Sequence, residues 1–591
     1  MDVATRPQVQ LAFHVLGARP EPEADALDGL ELRPALLAPY RDLGRLRYDF
    51  PLVLVDAGAE AAAACGEIRS LTGIVDELLR TIAPPGPEGE GLRGRGLRLE
   101  REIRALVTGG AGGRLSDVWA RAATIFSAED SDSPGAVLAA AGAHPSVDGL
   151  LLDCDETAAR RVVEHAWAAA QAGKAERFHA RAGALMAQLA DILRAAAVNS
   201  AAGRTPDSLR ASVGGPHQEI FDFAAMSRLL PTIAPDEELP AARRRRLEAA
   251  LAVLQAQPFF APPPRSAASV PAESLGYRFD DCASALVAFR KRLPRMAELV
   301  RALAIAELEA DGRYDEARHD AVFATFDAAS LGPADLATFP DLLVCIPPGR
   351  ARAAENSGLL EALASGLPIK ILVETDTVLE PSPIADGQLG SSVHGAQLAS
   401  TALGLDDVFV LQTTASDLYQ AREGIRAGIE HPSAALLSVF SAPSGGASPL
   451  PPYLLAAAAL QGRAFPAFCR DPRAGADLDG RFSLADDPQP ALDWPVDDLA
   501  YADARLQRVQ EPVAFTLADY AAADGRYARY FAVAAEWDDS LIPAAEWLDL
   551  TPTEQARRVP YVLAVDGEDV LRRLVVDARL MRAVQRARVT W

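Results

Sequence analysis

The residues that most often carry chemistry are few and scattered in this chain. Its five cysteines, Cys65, Cys154, Cys282, Cys345 and Cys469, are all far apart. That spacing excludes a CxxC redox pair, a zinc ribbon and an iron–sulfur site built from local ligands. Reduced, mostly buried thiols are expected instead. The eight histidines are His14, His144, His165, His179, His217, His319, His394 and His431. They form neither HxxxH nor HExxH, and Cys282 and His319 are too isolated to argue a dyad. No GxSxG or SxxK nucleophile motif occurs. Asp153, Asp155 and Glu156 follow an apolar run, and carboxylates at a strand end can hold a metal or phosphate. Asp155 as a plain helix N-cap fits as well and is the reading adopted. The run GGAGG at 109–113 could cradle a phosphate, but it lacks the Gly-Lys-Ser/Thr ending and the GxGxxG spacing. It reads as a helix–helix connection. Four arginines at 243–246 could bind an anion; they read as the solvated start of a helix.

The elements that must position these residues follow from composition and pattern. The chain has 591 residues, 49% apolar, 24% charged and 6% aromatic, which describes a globular protein of several domains. The net charge of -23 repels nucleic acid and anionic lipid as a whole, so neither is an expected partner. No run of about 18 uncharged apolar residues occurs, so no membrane insertion is expected. The first ten residues lack a secretory layout, and a cytoplasmic location is expected.

Residues 1–57 read as a short α/β segment with strands at 11–16 and 50–55. Residues 58–258 read as a mainly helical domain, with helices at 60–82, 97–107 and 157–196 and breaks at 84–96 and 203–216. Residues 259–275 form a proline-rich linker and 276–335 a helical connection with a helix at 281–310. From 336 to 490 the pattern changes. Apolar runs at 341–346, 369–373, 407–411 and 434–440 alternate with helices at 357–365, 395–405 and 415–430. Strands apolar throughout, alternating with helices, indicate α/β architecture with a parallel sheet covered on both faces. Residues 491–591 read as a mixed extension with a strand at 560–565 and a helix at 567–588. That helical pattern has no stop signal before Trp591, as expected of a truncated chain.

Four stretches in this α/β part carry a family resemblance. They are LASG at 363–366, DVFVLQTTAS at 407–416, HPSAALLSVFSAP at 431–443 and GRAFPAFCRDPRAG at 462–475, the last followed by RFSL at 481–484. Their order and spacing resemble the thiamine-diphosphate domain of pyruvate:ferredoxin and related 2-oxoacid oxidoreductases over about residues 338–490. The resemblance implies a thiamine-diphosphate-type fold for the parallel sheet.

The resemblance also shows where the chain departs from the family. There, a strand ends in GDG and its Asp binds the magnesium that holds the cofactor diphosphate; an Asn about 30 residues on completes the site. Counted from LASG, GDG falls on Pro347-Pro348-Gly349, so proline stands at the metal ligand, and the Asn falls near Pro381. Proline offers neither a side-chain oxygen nor an N–H. The Gly-Gly-Gln after the Asn appears as Asp386-Gly387-Gln388, and the family's Cys as Ser441-Ala442-Pro443. Unless Asp376, Glu374 or Asp386 substitutes, the site is degenerate. His394 lies beside this loop.

The family's electron-transfer clusters also have no ligands here. The expectation is therefore a non-catalytic subunit or module of that family, without cofactor or Fe–S cluster, that acts in assembly with other subunits or with copies of itself. Two readings stay open: an active oxidoreductase component, with thiamine diphosphate and magnesium held differently and clusters on a partner, and an unrelated α/β ligand-binding protein. In the latter, residues 347–351, Asp376 and residues 441–446 would line the crevice at the strand ends.

Overall fold

The computed structural model describes residues 6–17, 32–40, 42–55, 67–129, 148–213, 220–233, 239–261, 275–349, 353–381, 388–391, 397–443, 448–502, 505–534 and 539–591. The chain forms two compact units that interleave along the sequence. One comprises residues 1–170, 278–283 and 342–591; the other comprises 171–277 and 284–341. A division drawn along the sequence cannot express this, because the second unit is inserted into the first.

The first unit is mixed α/β and is organised by a seven-stranded sheet. In spatial order its strands are Phe482–Ser483, Phe468–Arg470, Phe409–Thr414, Ala435–Phe440, Ile369–Thr375, Leu342–Ile346 and Arg278–Phe279. The five strands from Phe409–Thr414 to Arg278–Phe279 run parallel, and the other two are antiparallel. Every residue of the four longest strands is buried, as expected for runs apolar on both faces. Helix Arg422–Glu430 packs on Phe409–Thr414 and Ala435–Phe440. Gly428 allows this approach, since a Cβ there would sit 2.8 Å from Phe409.

Among the described residues four smaller sheets complete the unit: the hairpins Val496–Ala502 with Arg508–Ala514 and Leu379–Pro381 with Leu389–Ser391, and two larger sheets. Strands Leu52–Leu54, Ile68–Ser70 and Leu150–Leu152 form one, whose Val53 and Leu151 join a core with helices Leu71–Ile82, Pro87–Thr108 and Leu115–Glu129. The other joins Arg33–Pro34, Val559–Val565, Leu571–Val576, Phe531–Val533 and Leu541–Pro543.

The second unit is helical. Buried Glu309 accepts from Arg243 Nε at 2.8 Å and Arg246 Nε at 2.7 Å, and Asp341 pairs with Lys174 at 2.8 Å. Phe178 stacks on Phe260, and Phe259 meets Phe339 edge-on. The run 243–246 is therefore only half solvated: Arg244 and Arg245 are exposed, while Arg243 and Arg246 neutralise a buried carboxylate.

Several local expectations are corrected. Residues 11–16 belong to helix Arg6–Leu16, because Phe13 on one face packs against Val559 and Val575. The expected helix at 60–82 is partly a strand, Ile68–Ser70, which pairs with Leu52–Leu54 before helix Leu71–Ile82 begins. The expected break at 84–96 is helix from Pro87 onward. Its glycines read as breakers, yet two serve close packing. A Cβ at Gly89 would sit 1.7 Å from the Pro84 carbonyl oxygen, and one at Gly96 would sit 2.7 Å from Leu79. The break at 203–216 contains helix Pro206–Val213. The helix at 415–430 is a 3-10 turn, Ala415–Asp417, and then Arg422–Glu430. The helix at 395–405 is reduced to Leu398–Ala402, with 392–396 outside the described residues. The helix at 567–588 is strand Leu571–Val576 followed by helix Ala578–Thr590. Apolar positions 571, 574 and 575 mimic a helical stripe, but pairing with Val559–Val565 and Phe531–Val533 decides the local conformation.

Other readings hold. Gly109–Gly113 does connect two helices, Pro87–Thr108 and Leu115–Glu129. Asp155, by contrast, is not the expected N-cap: it accepts from the Thr157 N–H at 2.8 Å in a turn that ends before helix Ala158–Asn199 begins. Among the described residues, no helix is long and apolar enough to cross a membrane.

Candidate functional site: the carboxyl edge of the parallel sheet

In an open α/β sheet the strand carboxyl ends carry the loops that meet ligands, because the helices that follow diverge there. The register Ile346↔Val373, Thr375↔Phe440 and Thr414↔Phe440 brings four strand ends to one edge. The first ends in Pro347-Pro348-Gly349. Gly349 has φ +77°, a left-handed conformation that a side chain strains, so this turn needs glycine. The adjacent strand ends in half-buried Asp376. The Asp376 carbonyl accepts from Arg526 Nη2 at 2.7 Å, and Arg526 Nη1 donates to Thr377 Oγ1 at 3.2 Å. Asp524 holds that guanidinium at 2.6 Å, and the Tyr527 hydroxyl donates to the Leu379 carbonyl at 3.1 Å. These contacts brace the turn that leads into hairpin Leu379–Pro381 with Leu389–Ser391. Pro381 pairs with Leu389, so Gln388 immediately precedes its partner; both Pro381 and Gln388 are exposed.

A buried and a half-buried carboxyl group lie at or beside this edge. Glu374, 3% exposed, accepts from the Arg160 N–H in the first turn of helix Ala158–Asn199, while its Oε1 has no hydrogen-bond partner among the described residues. Burial pushes its pKa up to about 7. The Arg160 charge and N–H oppose that rise, and Glu164 and Glu156 add to it. Cys345, on the neighbouring strand, is buried, and its thiol is pushed up to about 12. Asp417, after strand Phe409–Thr414, accepts from Thr413 Oγ1 at 3.2 Å. Burial, with Asp486 and Asp49 nearby, pushes Asp417 up to about 7. Tyr453, beside Asp49 and Asp417, is pushed well above the usual phenol range by burial. Its ring lies 4.6 Å from that of Tyr48. Between the two acids, the Ser441 N–H donates to the Thr375 carbonyl at 2.9 Å, and its buried hydroxyl has no hydrogen-bond partner among the described residues. Carboxyl groups that keep a proton near neutral pH can donate hydrogen bonds or exchange protons.

The structure thus brings Pro347, Pro348, Gly349 and Asp376 to one edge, with Pro381 and Gln388 in the hairpin that follows Asp376. Asp386, Gly387 and His394 lie outside the described residues, as do positions 350–351 and 444–446 of the expected crevice. Glu374 points against a helix N-terminus. The sequence reading missed Asp417, Tyr453, Arg160 and the Arg526–Tyr527 brace. Asp417 alone had a local signal, a polar TTAS turn closing an apolar strand.

The resemblance noted in the sequence falls on two prolines at this edge. Pro348 follows strand Leu342–Ile346 and Pro381 lies in the hairpin after Asp376, the two positions where the resemblance would put metal ligands. Among the described residues no group of three or more His, Cys, Asp or Glu could hold a metal ion. No model of a known protein family matches the chain, and no curated protein matches it either.

Proposed function

We propose that this chain is a non-catalytic module of the 2-oxoacid:ferredoxin oxidoreductase type, its thiamine-diphosphate-like domain kept as a scaffold for assembly with other subunits or copies of itself. The observation that carries this reading is the Pro347-Pro348-Gly349 turn. It follows a parallel strand at the edge that also carries Asp376, and the motif spacing in the sequence would put the family's metal-binding Asp at this turn. A proline pair removes both the carboxylate and the N–H groups that would face a diphosphate. The mostly parallel sheet and the motif order around it support the same reading.

Half-buried Asp376 is the one described carboxylate placed to replace the missing ligand, so the test must separate these outcomes. Titration calorimetry of the chain with thiamine diphosphate and magnesium, with thermal shift in parallel, does so. A ligand at 100 times its Kd would add about 2.7 kcal/mol of stability. The expected result is no heat and no shift at millimolar cofactor. Magnesium-dependent binding, lost in Asp376→Asn, would overturn the proposal in favour of an active component.

A further inference from the structure

Sheet edges among the described residues are short, with one exception. The edge strands of the seven-stranded sheet have two residues each, and those of the other sheets have two or three. Short edges deny a foreign strand a template. The hairpin Val496–Ala502 with Arg508–Ala514 departs from this pattern, with seven residues in each strand and no third strand beside either. One of its faces packs Leu499, Tyr501 and Val513 on Ala35, Tyr561 and Leu563.

The register shows which backbone groups point outward. The Phe515 N–H donates to the Pro495 carbonyl at 2.8 Å, so 495 and 515 form a hydrogen-bonded pair. Antiparallel pairs alternate, so Val496, Asp498, Ala500 and Ala502 turn both N–H and C=O away from the other strand. On that other strand the outward set includes Pro512, which has no N–H, so its edge is blunted. The edge of Val496–Ala502 holds no proline. Its first position is already filled by a side chain. The Val496 N–H donates to Gln489 Oε1 at 3.0 Å, and Gln489 Nε2 donates to the Val496 carbonyl at 3.0 Å. One amide thus makes the two bonds that a residue of an added strand would make. Gln489 reaches this place from a left-handed backbone, φ +45°. Arg463 Nη2 braces it by donating to the Pro488 and Gln489 carbonyls at 2.8 and 3.1 Å. Beyond it Asp498 and Ala500 are exposed, and no described residue bonds their outward backbone groups.

We propose that the outer edge of strand Val496–Ala502 takes up an extended basic segment of a partner protein as an added strand. Its backbone pairs with Asp498, Ala500 and Ala502, and its lysine or arginine side chains meet Asp497 and Asp498. Main-chain bonds of this kind supply affinity, and the flanking side chains select the partner. Charge decides the occupant here. The strand carries two exposed aspartates and no cation, on a chain of net charge -23. A basic strand is attracted, whereas a second copy brings the same aspartates and the same net charge. This docking role is independent of whatever the parallel sheet's carboxyl edge binds.

The test uses the full chain and a fluorescein-labelled peptide of alternating lysine and valine, read by anisotropy. One control peptide alternates glutamate and valine. The other is the lysine peptide N-methylated along its backbone, which keeps the charge and removes every donor. The lysine peptide should bind, and both controls should bind at least about tenfold more weakly. Ala500→Pro replaces an outward N–H and costs no bond within the hairpin. It should weaken the lysine peptide about tenfold with an unchanged melting temperature; if the melting temperature falls, the methylated peptide still decides. The double variant D497K/D498K should reverse the preference between the lysine and glutamate peptides. No binding of the lysine peptide by the natural chain, equal binding of the methylated peptide, or unchanged affinity in a stably folded Ala500→Pro would overturn the proposal. Self-association of the natural chain that Ala500→Pro abolishes would overturn it in favour of a second copy.

Discussion

Replacing Glu374 by Gln should change the stability of the α/β unit in a pH-dependent way. The Glu374 carboxyl is 3% exposed, and burial raises its pKa from 4.5 to about 7. The native state therefore keeps this proton at pH values where the unfolded chain has lost it. Stability changes with pH according to protons bound unfolded minus protons bound native, which is negative here, so this group lowers stability as pH rises. The loss begins near pH 4.5, where the unfolded group ionises, and levels off once the native group ionises above about 7. A shift of about 2.5 units at 1.36 kcal/mol each is about 3 kcal/mol. Gln keeps the shape and the oxygen that accepts from Arg160 but does not titrate. The stability of Glu374→Gln relative to the natural chain should rise by up to about 3 kcal/mol between pH 4.5 and pH 8. Chemical denaturation of both proteins across that range measures it, and the comparison cancels the other titrating groups. A difference that stays flat with pH, or that falls, would refute the picture of a buried, protonated Glu374.

Asp417→Asn should behave in the same direction, since burial raises Asp417 from 3.8 to about 7; denaturation at pH 5 and pH 8 should show the larger relative gain at pH 8. Glu309→Ala should lower stability by roughly 3 kcal/mol, because Arg243 and Arg246 lose their shared buried carboxylate; thermal melting measures it. Gly96→Ala should destabilise by about 1–3 kcal/mol, since its Cβ would sit 2.7 Å from Leu79, and a melting temperature no lower than that of the natural chain would contradict this packing.

How much could be read from the sequence depended on whether the signal was local. The buried strands Leu342–Ile346, Ile369–Thr375, Phe409–Thr414 and Ala435–Phe440 were legible because each is apolar along its whole length and bounded by turns. The Pro347-Pro348-Gly349 turn and Asp376 could be placed because they follow such strands directly. Strand Leu571–Val576 was not legible, since its apolar spacing also suits a helix and only its distant partners choose between the two. Helix Pro87–Thr108 was obscured by glycines whose purpose appears only when Pro84 and Leu79 are seen against them.

By itself the sequence determined a mixed α/β chain with a parallel sheet, strongly acidic, with a proline pair directly after an apolar strand. Those properties reside in residue types and in periods of two to four residues. Tertiary structure alone decided that one unit is inserted into the other and that Glu374 meets the first turn of a helix some 200 positions earlier. It alone paired Arg104 of helix Pro87–Thr108 with buried Glu100. Burial and charge pairing depend on what lies nearby in space, and sequence distance carries no record of that.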